Sequence, residues 1–189
     1  MPTGTRIQRA ARLLADQYRE RTPFSLDEDS APRTVDEAYA AQEAFQDIMS
    51  QARGPIAGYK IAYTTAIMQQ TSEVSEPAAG VILAKNVYDS PTTLQIADYS
   101  RLGIECEVAA RIGNDLPASR APYNRDQIAQ AVDAIMPALE VIEGRSSQIR
   151  DPQARALASI ATNISNAGVV LGSPVADWRK VDLAGEYAG

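Results

Sequence analysis

The segment Leu102–Ile112 limits the possible folds of this chain more than any other part of the sequence. Side chains two residues apart on a β-strand point to the same side of a sheet, so a strict alternation predicts a strand with two different faces. One face is expected to pack in the core, and the other carries Glu105 and Glu107. The residues of the core-facing set are Leu102, Ile104, Cys106, Val108, Ala110 and Ile112.

Helical and extended patterns alternate along the rest of the chain. Apolar residues at helical spacing predict helices over 7–18, 35–53, 125–136 and 152–163. Thr34 and Glu37 form a capping-box pattern before the second helix, Asn124 caps the third, and Pro137 is expected to close it. Strands are predicted over 56–63, 81–83, 138–143 and 168–171. The pattern is that of an α/β protein.

The domain organisation follows from length and composition. The chain has 189 residues, of which 45% are apolar, and this is enough for one buried core. The sequence contains no internal repeat and no low-complexity tract. We therefore expect a single domain over 1–189, with a helical part over 1–53 and a β-rich part over 54–189.

The charge and hydropathy patterns limit which classes of binding partner are expected. The formal net charge is -6 and no basic block is present, so neither nucleic acid nor an anionic membrane surface is an expected partner. Apolar stretches such as 139–142 and 168–171 are far shorter than the ~20 residues that span a bilayer. The first residues lack the apolar core of a signal peptide, and the single Cys106 cannot form an internal disulfide. We expect a soluble, cytoplasmic protein with a small-molecule or protein partner.

The absence of histidine removes several classes of chemistry. Ser-His-Asp and Cys-His catalysis, zinc sites built on histidine and a histidine general base all need a side chain that this sequence does not contain. Such a mechanism would require a histidine from a partner chain. Carboxylates, lysine, tyrosine and hydroxyl groups remain as candidate catalytic groups.

Three glutamates are the candidate metal ligands. Glu105 and Glu107 leave the same strand face about 7 Å apart at Cα, which is close enough for both to reach one ion. Such a pair also occurs on ordinary solvated strands. Glu140 lies between Leu139 and Val141 in an apolar strand, where an unpaired carboxylate is costly. Three partly buried glutamates imply a hard cation, and an all-oxygen ligand set favours Mg²⁺ or Mn²⁺.

Lys60 is the candidate base or oxyanion donor. It lies in a strand of apolar and aromatic residues, and Tyr59 and Ile61 on either side are expected to surround it. Partial burial lowers the pKa of a lysine towards neutrality and makes proton transfer possible. In the alternative interpretation, the stem packs against the protein while the ammonium group reaches water.

The order of several short motifs resembles that of one enzyme family. The motifs are Gly58-Tyr59-Lys60-Ile61 with Thr64-Thr65, then Pro77-Ala78-Ala79-Gly80, Ile104-Glu105-Cys106-Glu107-Val108, Pro137-Ala138-Leu139-Glu140, and Ala161-Thr162-Asn163-Ile164-Ser165-Asn166. In this order they resemble the 2-keto-4-pentenoate hydratases and 4-oxalocrotonate decarboxylases of the fumarylacetoacetate hydrolase superfamily. The resemblance covers most of the chain from about Gly54 to Val181.

The resemblance implies a fold and an activity. The fold is α/β (α+β), with a mixed, rolled β-sheet and N-terminal helices, and the β-roll is expected to be incomplete at its C-terminus. Glu105, Glu107 and Glu140 match the metal ligands, and Lys60 matches a lysine that assists proton movement before water adds to a 2-hydroxy-2,4-dienoate or 2-oxo acid of aromatic catabolism. A homo-oligomer is expected. Further substrate-binding candidates are Thr64, Thr65, Gly80, Val81 and Asn163.

The sequence departs from the family pattern at three positions. Ala78 stands where an acidic residue is common, Thr162 where an aspartate is common, and Tyr63 where a leucine is common. Decarboxylation and enol-keto tautomerisation need other acid-base partners than hydration does. A decarboxylase, a tautomerase or a truncated non-catalytic ligand-binding relative therefore stays as an alternative to the hydratase.

Overall fold

Five α-helices and six β-strands make up the part of the chain that the computed structural model describes, residues 3–183 and 185. Short 3₁₀ turns connect some of them. The helices are α1 (Thr3–Glu20), α2 (Val35–Arg53), α3 (Ala66–Ser72), α4 (Arg125–Ala131) and α5 (Pro152–Ala161). The strands are β1 (Ile56–Ala62), β2 (Ala78–Leu83), β3 (Val87–Asp89), β4 (Leu102–Ile112), β5 (Val132–Glu143) and β6 (Asn166–Leu171).

The first two helices pack on each other through small side chains, since alanines on both helices and Phe45 are buried in one cluster. The Thr34 hydroxyl accepts a hydrogen bond from the Glu37 amide and so caps α2, as the sequence predicts. The Glu37 carboxylate accepts from the Arg33 amide instead of completing the box at Thr34. Gly54, with φ of 82°, ends the helix in a conformation that favours glycine.

The strands form two sheets. A four-stranded mixed sheet has the order β3-β6-β5-β4, in which β4/β5 and β5/β6 are antiparallel and β3/β6 is parallel. A separate antiparallel hairpin contains β1 and β2. The hairpin contacts the larger sheet where β2 approaches β6. This arrangement agrees with the predicted mixed α/β class.

The third predicted helix is shorter than the sequence indicates, and the following strand is longer. Asn124 caps α4 in a full capping box, but the helix ends at Ala131 instead of Pro137, and β5 begins at Val132. β5 pairs with β4 along nearly the whole length of both strands, and this pairing outweighs the short helical stripe. Pro137 accepts a hydrogen bond from the Gly172 amide through its carbonyl and needs no N–H of its own there.

The prediction that the apolar face of β4 is buried is wrong for the described residues. Ile104, Val108 and Ile112 are 50%, 60% and 52% exposed, and Cys106 is exposed too. Among residues 3–183 and 185, β4 has one strand neighbour, β5, and it forms the edge of the larger sheet. The alternation identified the strand correctly, but it could not reveal that β4 lies at an edge.

A buried arginine, Arg145, links the segment after β5 to the C-terminal end of α1. Arg145 pairs with Glu143 at 2.8 Å, and the two side chains are only 2% and 4% exposed. Its guanidinium donates to the carbonyls of Gln17 and Tyr18, and it lies 4.6 Å from the centre of the Tyr18 ring. These carbonyls belong to the last turn of α1, where a cation is favourable.

Within the described residues, no helix is both long and apolar enough to cross a membrane.

Replacing Arg145 by methionine is expected to lower the free energy of unfolding by about 3–5 kcal/mol, because Glu143 would be left buried without its partner. Urea denaturation of both proteins measures the change. Arg150→Met is the matched control at an exposed arginine and should change stability by less than about 0.5 kcal/mol. Equal stability of the two variants would contradict a structural role for the Arg145 contacts.

Candidate functional site

Strand register brings the three glutamates to one place. Glu105 on β4 lies directly opposite Glu140 on β5, and Glu107 follows two residues later on the same face. One carboxylate oxygen from each residue lies within 4.8 Å of the other two. Glu140 is buried, whereas Glu105 and Glu107 are exposed. The cluster is therefore open to solvent on the β4 side and closed on the β5 side.

Lys60 on β1 reaches the same cluster from the hairpin. Its Nζ atom lies 2.8 Å from Oε1 of Glu140, and the two side chains are 10% and 8% exposed. Tyr59 and Ile61 do not surround Lys60 as expected; they are 74% and 69% exposed. Neighbouring residues on a strand point to opposite faces, which explains why Lys60 points inward while its neighbours do not.

Asn166, the first residue of β6, makes a second contact to the same carboxylate oxygen. Its side-chain Nδ2 donates to Oε1 of Glu140 at 3.1 Å, and both residues are buried. No sequence pattern singles out this residue as a site residue, although it closes the Asn163–Asn166 motif. Glu140 is thus fixed by two donors from two different strands.

A polar clamp holds the hairpin against the larger sheet. The Asn163 side chain accepts from the Val81 amide at 2.6 Å and donates to the Val81 carbonyl at 2.7 Å. The Val81 backbone, a candidate for substrate binding, is engaged by this contact. Gly80 lies beside it and opposite Lys60, and a Cβ atom there would lie 2.9 Å from Oδ1 of Asn163 and 3.3 Å from Cγ of Lys60.

The two candidate threonines lie just after β1, before α3. Thr64 and Thr65 are both exposed. The Thr65 hydroxyl accepts a hydrogen bond from the Met68 amide and caps α3, a helix that the sequence patterns did not predict. Thr65 therefore has a local structural contact, while Thr64 is left at the surface beside it.

The donor set fits a hard divalent cation. Three carboxylates and the Lys60 ammonium leave two formal negative charges, which one divalent ion balances. All candidate ligand atoms are carboxylate oxygens, which suit Mg²⁺ or Mn²⁺ better than soft metals. A carboxylate has two oxygens, so the contacts of Glu140 with Lys60 and Asn166 are compatible with a further ligand role.

Comparison with known proteins identifies relatives along most of the chain. No family model matches the sequence. It is 28% identical over 183 residues to a 2-keto-4-pentenoate hydratase of Paraburkholderia xenovorans, covering 96% of this chain and 66% of that protein. It is 30% identical over 174 residues to a 2-keto-4-pentenoate hydratase of Paraburkholderia phymatum, covering 92% of this chain and 64% of that protein. The chain is thus similar to 2-keto-4-pentenoate hydratases along most of its length.

A solved structure supports the fold of this chain. It superimposes on 4-oxalocrotonate decarboxylase from Pseudomonas putida G7, solved with magnesium and adipate, with a TM-score of 0.82 and 20% identity. The superposition covers 97% of this chain and 68% of the decarboxylase. The chain therefore spans about two thirds of the length of the curated relatives and of this neighbour.

Gly80→Ala is expected to destabilise the fold by about 1–3 kcal/mol, because the added methyl group must displace Asn163 or Lys60. Chemical denaturation measures the effect. Gly58→Ala, on the facing strand β1, is the control, because a Cβ there meets nothing within 4 Å. If both alanine variants were equally stable, the close approach of Gly80 to Asn163 and Lys60 would not contribute to the free energy of unfolding.

Proposed function

We propose that the chain carries the metal- and substrate-binding region of a divalent-metal-dependent hydratase. Its proposed substrates are 2-hydroxy-2,4-dienoates or 2-oxo acids of aromatic catabolism. The observation that carries the proposal is the convergence of Glu105, Glu107 and Glu140, with Lys60 paired to Glu140. The names of the curated relatives give the reaction class, and the oxygen-only ligand set supports Mg²⁺ or Mn²⁺ as the ion.

The three glutamates are proposed to hold the ion, and each has a different environment. Glu140 is fixed by Lys60 and Asn166, so its position is set before any ligand arrives. Glu105 and Glu107 are exposed, so their side chains can adjust to the ion and leave its outer side open to a substrate. Bound there, the ion would supply Lewis-acid polarisation of the 2-oxo and carboxylate oxygens of the substrate.

Lys60 is proposed to move a proton at its Nζ atom. The contact with Oε1 of Glu140 keeps this atom beside the carboxylates and away from bulk water. General acid-base catalysis needs such a group within hydrogen-bond reach of the reacting atoms. Thr64, exposed just after β1, is proposed to orient substrate or water.

The remaining candidates are proposed to shape the site. Thr65 caps α3, and Asn163 and the Val81 backbone are bonded to each other. These contacts support a role in holding the Lys60 hairpin in place next to Gly80. Binding of the substrate carboxylate by the backbone near Gly80 stays part of the proposal.

We also propose a cytoplasmic homo-oligomer. The exposed apolar residues Ile104, Val108 and Ile112 on the edge strand β4 support association with further polypeptide, since large exposed apolar patches commonly mark interaction sites. The single Cys106 supports a reducing compartment.

A decarboxylase or tautomerase acting on the same class of 2-oxo acids is the second candidate. Ala78 is buried among apolar side chains, and the Thr162 hydroxyl donates to the Ala158 carbonyl inside the chain. Neither residue offers the acidic group that is common in the family at that position. The absence of an acidic group at these two positions favours decarboxylation or tautomerisation, in which other groups would transfer the proton.

The wild-type protein is expected to hydrate 2-hydroxypenta-2,4-dienoate when Mg²⁺ is added, and Glu107→Gln is expected to abolish this turnover. The change keeps the side-chain volume but removes one ligand charge, so Mg²⁺ affinity should fall by at least about tenfold. Loss of dienoate absorbance measures turnover, and calorimetry measures affinity. Stability without metal should hold or rise, because one of three neighbouring negative charges is gone.

Glu43→Gln is the control for this variant, since Glu43 is an exposed glutamate on α2, away from the cluster. Release of carbon dioxide from 4-oxalocrotonate in place of hydration would select the second candidate. Full activity of Glu107→Gln would exclude the glutamates as metal ligands.

Lys60→Met is expected to separate binding from chemistry. Methionine keeps the packed stem and removes the ammonium, so Mg²⁺ affinity should be retained or improved while the rate falls by roughly 10² to 10⁴. Without metal, the variant should be less stable because Glu140 loses its buried partner. Rates at saturating Mg²⁺ test this, with Lys180→Met at an exposed lysine as the control. An unchanged rate in Lys60→Met would require another group to move the proton.

A further inference from the structure

The outer edge of β4 is open in the described part of the chain. Within residues 3–183 and 185, β4 pairs with one strand, β5, and no backbone group of residues 104–112 bonds to the backbone of any other segment. Half of the N–H and C=O groups of an edge strand point away from its neighbour. An open edge of this length is therefore a template for pairing with a further strand.

The side chains along this edge divide into two faces. Residues 104–112 are all exposed except Ala109, which is half-buried. One face is entirely apolar, and the other carries two negative charges and one positive charge, from Glu105, Glu107 and Arg111. Charged side chains at an edge usually prevent pairing. The positions of these charges therefore decide which strand the edge can accept.

A second copy of β4 matches this edge in one antiparallel register, with the two-fold axis at Val108. Residues that lie opposite each other in an antiparallel pair point to the same face. In this register apolar residues meet apolar residues on one face, and Glu105 meets Arg111 of the partner subunit on the other. The facing pairs are Ile104–Ile112, Glu105–Arg111, Cys106–Ala110, Glu107–Ala109 and Val108–Val108.

The neighbouring symmetric registers match less well. An axis at Cys106 places Glu105 opposite Glu107 of the partner subunit, and an axis at Glu107 places that glutamate opposite its own copy. Like charges directly opposite each other are destabilising. An axis at Ala109 places Ile104 opposite Asn114, which lies beyond the end of the strand. The register centred at Val108 matches all nine residues of the open edge.

The charged groups of the matched register are accessible. Arg111 pairs with Asp133 at 2.7 Å, and both side chains are 50% exposed. A guanidinium has five N–H donors, so the contact with Asp133 leaves donors for a second carboxylate. Glu105 is exposed and lies beside two other glutamates, Glu107 and Glu140, so a cation from a partner is electrostatically favourable there.

We propose that two copies of this chain associate through antiparallel β4–β4 pairing centred at Val108. The pairing joins the two four-stranded sheets into one continuous sheet. Each copy uses the same surface, so the contact closes on itself and yields a dimer. It also places Arg111 of the partner subunit beside Glu105. This interface deepens the proposed homo-oligomer and rests on it, but it does not depend on a bound metal or substrate.

Sedimentation equilibrium of charge variants tests the proposal. The wild-type chain should show twice its mass of 20.3 kDa. Arg111→Glu places like charges opposite each other at both ends of the paired segment and should raise the dimer dissociation constant at least about tenfold. Glu105→Arg combined with Arg111→Glu restores opposite charges and should return the constant to near the wild-type value. Arg19→Glu, at an exposed ion pair on α1, is the matched control.

Lysine substitutions distinguish edge pairing from packing of the apolar sheet face. Val108→Lys places two ammonium groups at the axis and should also raise the dissociation constant at least about tenfold, so it decides the proposal if Arg111→Glu does not fold. Leu139→Lys is the control, because Leu139 is 41% exposed on the same apolar face but lies on β5. Dissociation by Leu139→Lys and not by Val108→Lys would overturn the proposal.

Cysteine cross-linking determines the register. Val108→Cys in a Cys106→Ala background places the two sulfurs at the axis, within reach of a disulfide, and mild oxidation should yield a covalent dimer on a non-reducing gel. The wild-type chain should stay uncross-linked, because its Cys106 lies opposite Ala110 of the partner subunit. Cross-linking through Cys106 in the wild-type chain would indicate an axis at that residue and overturn the proposed register.

The outcomes separate this inference from the rest of the proposed function. A monomeric wild-type chain would overturn both the β4 interface and the proposed homo-oligomer. An oligomer that neither Arg111→Glu nor Val108→Lys weakens would overturn the β4 interface alone. Mg²⁺ binding and hydration by the wild-type chain test the proposed chemistry separately, since neither depends on the result of these association measurements.

Discussion

The buried ion pair between Lys60 and Glu140 is the interaction on which the candidate site depends. It joins the β1–β2 hairpin to the four-stranded sheet, which share no backbone pairing among the described residues. Either charge alone would be costly at about a tenth of its full exposure, so the two sheets must stay together for the fold to tolerate them. The same contact places Lys60 beside three carboxylates. The stability of the fold and the proposed chemistry therefore both depend on the Lys60–Glu140 ion pair.

The contacts around this pair use backbone and amide groups, which allow close approach. Gly80 has no side chain where β2 meets Lys60 and Asn163, and Asn163 bonds both backbone groups of Val81. A larger residue at position 80 would have to displace Asn163 or Lys60. The ion pair is thus held at its distance by neighbours that have little freedom to move.

The N-terminal helices contact segments that lie next to the candidate site. Arg145 contacts the last turn of α1 and pairs with Glu143, which lies on the same strand as Glu140. Gln46 of α2 and Asn166 of β6 line the same cavity. Asn166 in turn donates to Glu140, so the cavity beside the N-terminal helices is lined by a residue that contacts the carboxylate cluster directly.

The sequence by itself determined the α/β class and the bounds of β4, because alternation depends only on neighbouring residues. Motif order along the chain also selected the three glutamates that the structure brings together. Tertiary structure alone decided that Val132 to Pro137 extends β5, since pairing with β4 outweighs a short helical stripe. It also decided that the apolar face of β4 is exposed and that Asn166 supports Glu140. Those outcomes depend on which distant segments lie side by side, and local sequence patterns carry no information about such neighbours.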